Sequence, residues 1–270
     1  MRTAKFVNNS VLVKRLCQDD DCSRTARGIS YVAKKGGAIH NKGELIIQED
    51  ASFLECYSQT FDSVETSRGG AISNNAPGVI RFMSDLRMEF NEAEDFFEGQ
   101  GGAIYNRGDI IVDGDATFFM NSASDGGGLY QENWATFTVN GMANFTKHNA
   151  FEFCGGAICN RGGEIDIIGG SVFDRNYASS SGEGGDGGAI SNTNGGVVTL
   201  TGPTTFTSNG AYYGGAIYNP ELGFLYLDDE ELEDFEPPVV TYPSDTVFIG
   251  NTAQCGPDVY DGDFASCPDS

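Results

Sequence analysis

At 270 residues, with 39 acidic against 16 basic side chains, the chain has a formal net charge of −23 and a pI near 4.2. That balance excludes nucleic acid and anionic membrane as partners, because both reward clustered Lys and Arg. No stretch nears the roughly 20 consecutive apolar residues of a membrane span, and Met1 to Ser10 lacks the apolar core of a signal peptide.

Phe6, Asn9 and Val11 already match the closing third of a unit that recurs later, so the chain begins in mid-coil. An open solenoid end exposes its core and its strand edges. Met1 is therefore expected either to lie inside a longer product or to follow from a truncated gene model that removed the export signal. Residues 11–35 read as an insertion, in which Cys17 and Cys22 flank the acidic run Asp19 to Asp21.

From Gly36 onward one phrase recurs: Gly36-Gly37-Ala38-Ile39-His40-Asn41, then copies starting at Gly69, Gly101, Gly155, Gly187 and Gly214, with Gly126 to Gln131 as a worn copy. Successive Gly pairs stand 25 to 33 residues apart. A stack of helical repeats tolerates such slippage badly, whereas a solenoid of strands pushes extra residues out as loops. Each Gly pair is followed by two apolar residues two apart: Leu45/Ile47, Ile80/Phe82, Ile110/Val112, Phe137/Val139, Ile165/Ile167, Val198/Leu200 and Leu225/Leu227. Alternation at period two marks a strand with one buried face. Six residues on comes a large apolar residue with a polar one three further, as in Phe53/Cys56, Met88/Asn91, Phe118/Asn121, Phe145/His148, Phe173/Asn176 and Phe206/Asn209, and then a small residue such as Ala93 or Ala123.

These positions predict three short strands per coil and about seven to eight coils, stacked by parallel pairing about 4.8 Å apart. Residues 1–270 then form a single all-β domain, a parallel solenoid. Phe118, Phe145, Phe173 and Phe206 are expected to stack in its core. By parity with inward Ile39, the side chains of Asn41, Asn74, Asn106, Asn160, Asn192 and Asn219, with Gln131, are expected to form an inward ladder that satisfies turn backbone groups. Residues 228–246 read as a second insertion, beginning with an acidic run and broken by Pro237-Pro238, and residues 252–270 as a C-terminal cap.

Gly-Gly-Ala-Ile combined with Phe-x-x-Asn resembles the repeat of the polymorphic outer membrane protein family, over nearly the whole chain. The resemblance implies a right-handed parallel β-helix of the pectin-lyase-like kind. Cys56 and His148 at the Asn position, Met88 at the Phe position and the unit at Gly126 depart from the pattern, and no membrane β-barrel segment follows the repeats.

That fold also hosts polysaccharide lyases and glycoside hydrolases, so an enzyme is the alternative reading, to be decided by residues. Such chemistry needs clustered carboxylates with Arg or Lys on an outer face. The outward position after Ile carries His40, Ser73, Tyr105, Tyr130, Cys159, Ser191 and Tyr218, with neither carboxylate nor lysine or arginine. Glu44, Asp109, Glu164, Asp166 and Arg81 lie outward on the next strand, and only Glu164 and Asp166 are close neighbours, the weak catalytic candidates. No cofactor is expected, Ca²⁺ being the one ion an acidic surface would attract, and no metal motif accompanies the cysteines. Of these, Cys17, Cys22, Cys255 and Cys267 are the candidate disulfide residues, the last two bracketing and stapling the cap in an oxidising, extracellular setting. The expected protein is non-enzymatic, extracellular or at the cell surface, structural or adhesive. Its partner is expected to be a carbohydrate or cell-surface protein, met by loops along one edge of the coil.

Overall fold

The computed structural model describes residues 35–59, 66–94, 99–179, 185–220 and 237–261, and the backbone of four short strands before them: Ala4–Phe6, Val11–Val13, Cys22–Arg24 and Tyr31–Ala33. The described chain is all-β and coils into a parallel solenoid. Four sheets run along it, of eight, eight, seven and eight strands, in place of the three strands per coil expected.

The first sheet takes the residues after each Gly pair, from Ile39–Asn41 to Val259–Tyr260. The second takes the apolar pairs, as in Asp109–Val112, and the third the large apolar residues, as in Ala116–Phe119. The fourth consists of two- or three-residue strands at the small residues, as in Glu92–Glu94 and Ser122–Ala123. They escape a pattern reading because so short a strand shows no alternation. Among the described residues five consecutive turns carry a strand in all four sheets and a sixth carries three, slightly fewer than the seven to eight coils expected.

Register holds along the stack: Phe118 pairs with Phe145, Phe145 with Phe173 and Phe173 with Phe206. Their rings stack at 4.6, 5.1 and 4.8 Å between centroids, nearly coplanar and wholly buried, with Phe248 continuing the row at 5.0 Å. The second sheet ends on Val239–Thr241, which pairs with Val197–Thr199. That rung lies within the span read as an insertion, and it occupies the place expected for Leu225 and Leu227, which lie outside the described residues. Cys17, Cys267, residues 228–236 and residues 262–270 also lie outside them.

The two glycines of each pair are needed for different reasons. The first adopts a left-handed conformation, as at Gly101 with φ +70°. The second has an ordinary φ, but a Cβ on Gly102 would stand 2.2 Å from the carbonyl oxygen of Gly127 in the next turn. Close stacking of backbones forbids any side chain there.

Candidate functional site

Two rows of polar side chains lie inside the coil. At the corner between the first and second sheets, Asn41 Nδ2 donates to Asn74 Oδ1, Asn74 to Asn106, and Asn106 to Gln131 Oε1, each at 2.9 to 3.0 Å. Gln131 reaches past Asn160 and donates to the carbonyls of Ala135 and Glu164, so the row breaks there and resumes from Asn160 through Asn192 to Asn219.

At the corner between the third and fourth sheets stands a second ladder, of Cys56, Asn91, Asn121, His148, Asn176, Asn209 and Asn251. Each backbone N–H donates to the side chain one turn on: Asn91 N–H to Asn121 Oδ1 at 2.8 Å, Asn121 N–H to His148 Nδ1 at 3.0 Å, His148 N–H to Asn176 Oδ1 at 3.0 Å. Because Nδ1 of His148 accepts, its proton resides on Nε2, which is buried against Phe145 with no hydrogen-bond partner. Burial therefore pushes the imidazole down to about 4.

The outer face of the first sheet is the chemically richest surface. Its outward row was expected to face solvent, yet Ser73, Tyr105, Tyr130, Cys159, Ser191 and Tyr218 are all buried. The cause is the first glycine of each pair. Its left-handed turn folds the preceding residue back over the row, so that the residue before the pair and the fifth residue after it share one face. Cys154 and Cys159, placed in this way, form a disulfide. Tyr213 and Tyr218 stand in the same relation, their rings 6.1 Å apart. This second layer stacks as Lys35, Arg68, Gln100 and Asp125, then Cys154, Asp186, Tyr213 and Cys255, joined by isolated parallel bridges.

Along this face two tyrosine stacks flank a polar centre. Tyr105 and Tyr130 stack at 5.8 Å, with the guanidinium of Arg68 over the first ring and that of Arg161 over the second. Such contacts keep arginine on an apolar face. The Tyr105 hydroxyl donates to Glu132 at 2.5 Å, and Arg107 pairs with Glu132 at 3.4 Å. At the other end Tyr218 and Tyr260 stack, also at 5.8 Å. Between them sit Asp125, the disulfide and Asp186.

Asp125 accepts the N–H groups of Phe153 and Cys154 and lies 3.9 Å from Arg161. Asp186 is 7 % exposed, and among the described residues no hydrogen bond to its carboxyl is found. Burial, and then the charge of Asp125, push it up to about 8, with Arg161 pulling the other way. Tyr130 is likewise pushed up to about 12, chiefly by burial.

The expected catalytic candidates lie elsewhere. Glu164 and Asp166 project from the outer face of the second sheet, where their rung neighbours are Thr136 and Val197 for one and Thr138 and Thr199 for the other. Arg81, on the same sheet, pairs with Asp113 at 2.8 Å, which holds that carboxyl below its usual range. Among the described residues no three His, Cys, Asp or Glu side chains converge in a metal-binding group, and no helix is long and apolar enough to cross a membrane.

Cys255 is held in a disulfide, while Cys56 is a buried thiol in the second ladder. The Cys154–Cys159 pair and the aspartates beside it escaped the sequence reading. The available signal was one cysteine on either side of a single Gly pair, Cys154-Gly-Gly-Ala-Ile-Cys159.

At the edge where the fourth sheet leads back to the Gly pairs, Phe151, Phe153 and Tyr177 are each about half exposed. Trp134, at the tip of a turn on another corner, is 93 % exposed.

Comparison with known proteins places the repeat. The model of the Chlamydia polymorphic membrane protein repeat matches residues 203–220. The chain is 27 % identical over 197 residues to the probable outer membrane protein pmp7 of Chlamydia pneumoniae, covering 67 % of this chain and 20 % of that protein. It is 31 % identical over 153 residues to the probable outer membrane protein pmp19 of the same organism, covering 54 % of this chain and 15 % of that one. The chain thus spans about a fifth or less of the length of these relatives. No solved structure matches it.

Proposed function

We propose that this chain, built of polymorphic membrane protein repeats, serves as a non-enzymatic scaffold at a cell surface and meets carbohydrate or a surface protein through the loop edge beyond the fourth sheet. Support for the location comes from the outer membrane naming of both relatives. The observation that carries the non-enzymatic reading is the outer surface of the second sheet, where Glu164 and Asp166 have threonine and valine, not carboxylate or cation, on the adjoining rungs. Support for the loop edge comes from Phe151, Phe153 and Tyr177, aromatic side chains left half exposed on a rigid frame.

Two measurements test this reading. Incubation with pectate, alginate and neutral glycans, with and without Ca²⁺, should release neither unsaturated nor reducing ends. Turnover that vanishes in Glu164→Gln or Asp166→Asn would establish the enzyme alternative instead. Binding to cell-surface glycans or proteins should fall at least tenfold in the Phe151→Ser/Phe153→Ser double variant, and an unchanged affinity would move the recognition surface off this edge.

A further inference from the structure

The polar centre on the first sheet's outer face contains a disulfide with an unusual neighbour. Asp186 forms the rung next to Cys154, and Ser191 the rung next to Cys159. Adjacent parallel strands lie about 4.8 Å apart, so the carboxyl stands one rung from the disulfide. Ser191 Oγ is buried with no hydrogen-bond partner. The charged and titratable groups facing Asp186 are Asp125 and Arg161 on one side and Tyr213 and Tyr218 on the other. A carboxyl buried in this way without a full countercharge keeps its proton.

We propose that Cys154–Cys159 is a thiol–disulfide exchange site for a protein dithiol, with Asp186 supplying the proton to the departing thiolate. Cys159 is wholly buried in a strand, whereas Cys154, itself buried at 4 % exposure, is the more accessible of the two and ends the loop that carries half-exposed Phe151 and Phe153. Attack therefore falls on Cys154, and the two phenylalanines form the apolar rim on which a protein, in preference to a small thiol, is seated. The attacking thiolate, its own proton already lost to solvent, bonds to Cys154 Sγ as the Cys154–Cys159 bond breaks. The electron pair of that bond goes to Cys159 Sγ, which takes the Asp186 proton. The partner's second thiol then displaces Cys154, which leaves as a thiolate and gains that thiol's proton, and solvent reprotonates Asp186. Two electrons have passed from the partner, now a disulfide, to this chain, now a dithiol. Asp186 is a positioning and proton-donating group here, and it forms no bond to the partner.

The test is native-state reduction of the intact chain by dithiothreitol and by a reduced thioredoxin-fold protein from pH 6 to 9.5. Alkylation of Cys154 and Cys159 is read by peptide mass spectrometry, and each rate is divided by the concentration of attacking thiolate. Both cysteines should become alkylated while the circular dichroism stays native, with the protein dithiol at least tenfold faster per thiolate. The normalised rate should fall as Asp186 loses its proton near pH 8. Asp186→Asn should be about tenfold slower at pH 7 and flat with pH. Should Asp186→Asn fail to fold, Arg161→Gln decides, because loss of that cation should move the fall to higher pH. Phe151→Ser should slow the protein dithiol and leave dithiothreitol unaffected. Reduction only after unfolding, an Asp186→Asn profile equal to that of the unaltered chain, or an Arg161→Gln profile that does not shift would overturn the proposal. Equal rates with both dithiols would overturn the protein-partner part.

Discussion

The two inner corners solve one problem with different chemistry. Where the first sheet meets the second, amide side chains bond mainly to one another and to nearby turn carbonyls, and one glutamine in place of asparagine interrupts the row. Where the third sheet meets the fourth, each backbone N–H donates to a side-chain acceptor one turn on, and the row runs unbroken through His148. The asparagines of the second corner donate as well, to backbone carbonyls and to one another, but its backbone N–H row needs only an acceptor atom at a fixed reach, which imidazole Nδ1 supplies. The first asks for donor and acceptor at once, and the extra methylene of Gln131 carries its amide one residue group too far. A ladder's tolerance is set by the number of atoms each member must place.

The comparison breaks most visibly at Asn176. Asn176→Leu strands two buried backbone groups, His148 N–H and the Phe145 carbonyl, and should cost about 3 to 4 kcal/mol in urea unfolding. Asn106→Leu at the other corner should cost about 2 kcal/mol, since Asn74 Nδ2, which donates to it, keeps the carbonyls of Gly78 and Asp109 as acceptors. Equal losses would remove the distinction between the corners.

A second test uses pH, and the signs oppose. His148 titrates at about 4 in the fold against about 6.5 when unfolded, so the unfolded chain binds the extra proton and stability rises with pH between those values. Asp186 titrates at about 8 in the fold against 3.8 unfolded, so its contribution is complete below 3.8 and is lost as pH rises to 8. From pH 4 to 6.5 the two offset. His148→Asn should leave a stability that falls by about 1.4 kcal/mol per pH unit over that range, and Asp186→Asn one that rises by about as much. Urea midpoints for both variants that stay flat with pH would contradict both assignments. The smallest effect is expected at the break itself: Gln131→Asn should rejoin the row to Asn160 and add about 1 kcal/mol.

Much of this was legible in the sequence. The phenylalanine row and the inward asparagines follow from parity along strands whose spacing is fixed, and Asn106, for one, lies buried where that parity puts it. The fourth sheet did not follow, because strands such as Ser122–Ala123 are too short to alternate. They are separated from the third sheet by two residues, the first in a left-handed conformation, as Met120 and Asn121 in that turn, and no composition rule marks the left-handed position. The outer layer was hidden for another reason. It depends on a glycine turning the chain back on itself, so Asp125, Cys154 and Asp186, read along the chain, appeared to precede the repeat and not to cover it. Gln131 looked like a conservative member of the ladder, and only side-chain length in three dimensions shows that it is not.

One register runs through the described solenoid and is held at the second corner by an unbroken ladder. Native-state hydrogen exchange at pH 7 tests it most directly. The corner amides of Asn91, Asn121, His148, Asn176 and Asn209 should open with the same free energy as the flanking core strands, with no weak point at His148. Corner amides that exchange rapidly while the strands stay protected, or a step in protection at His148, would contradict it.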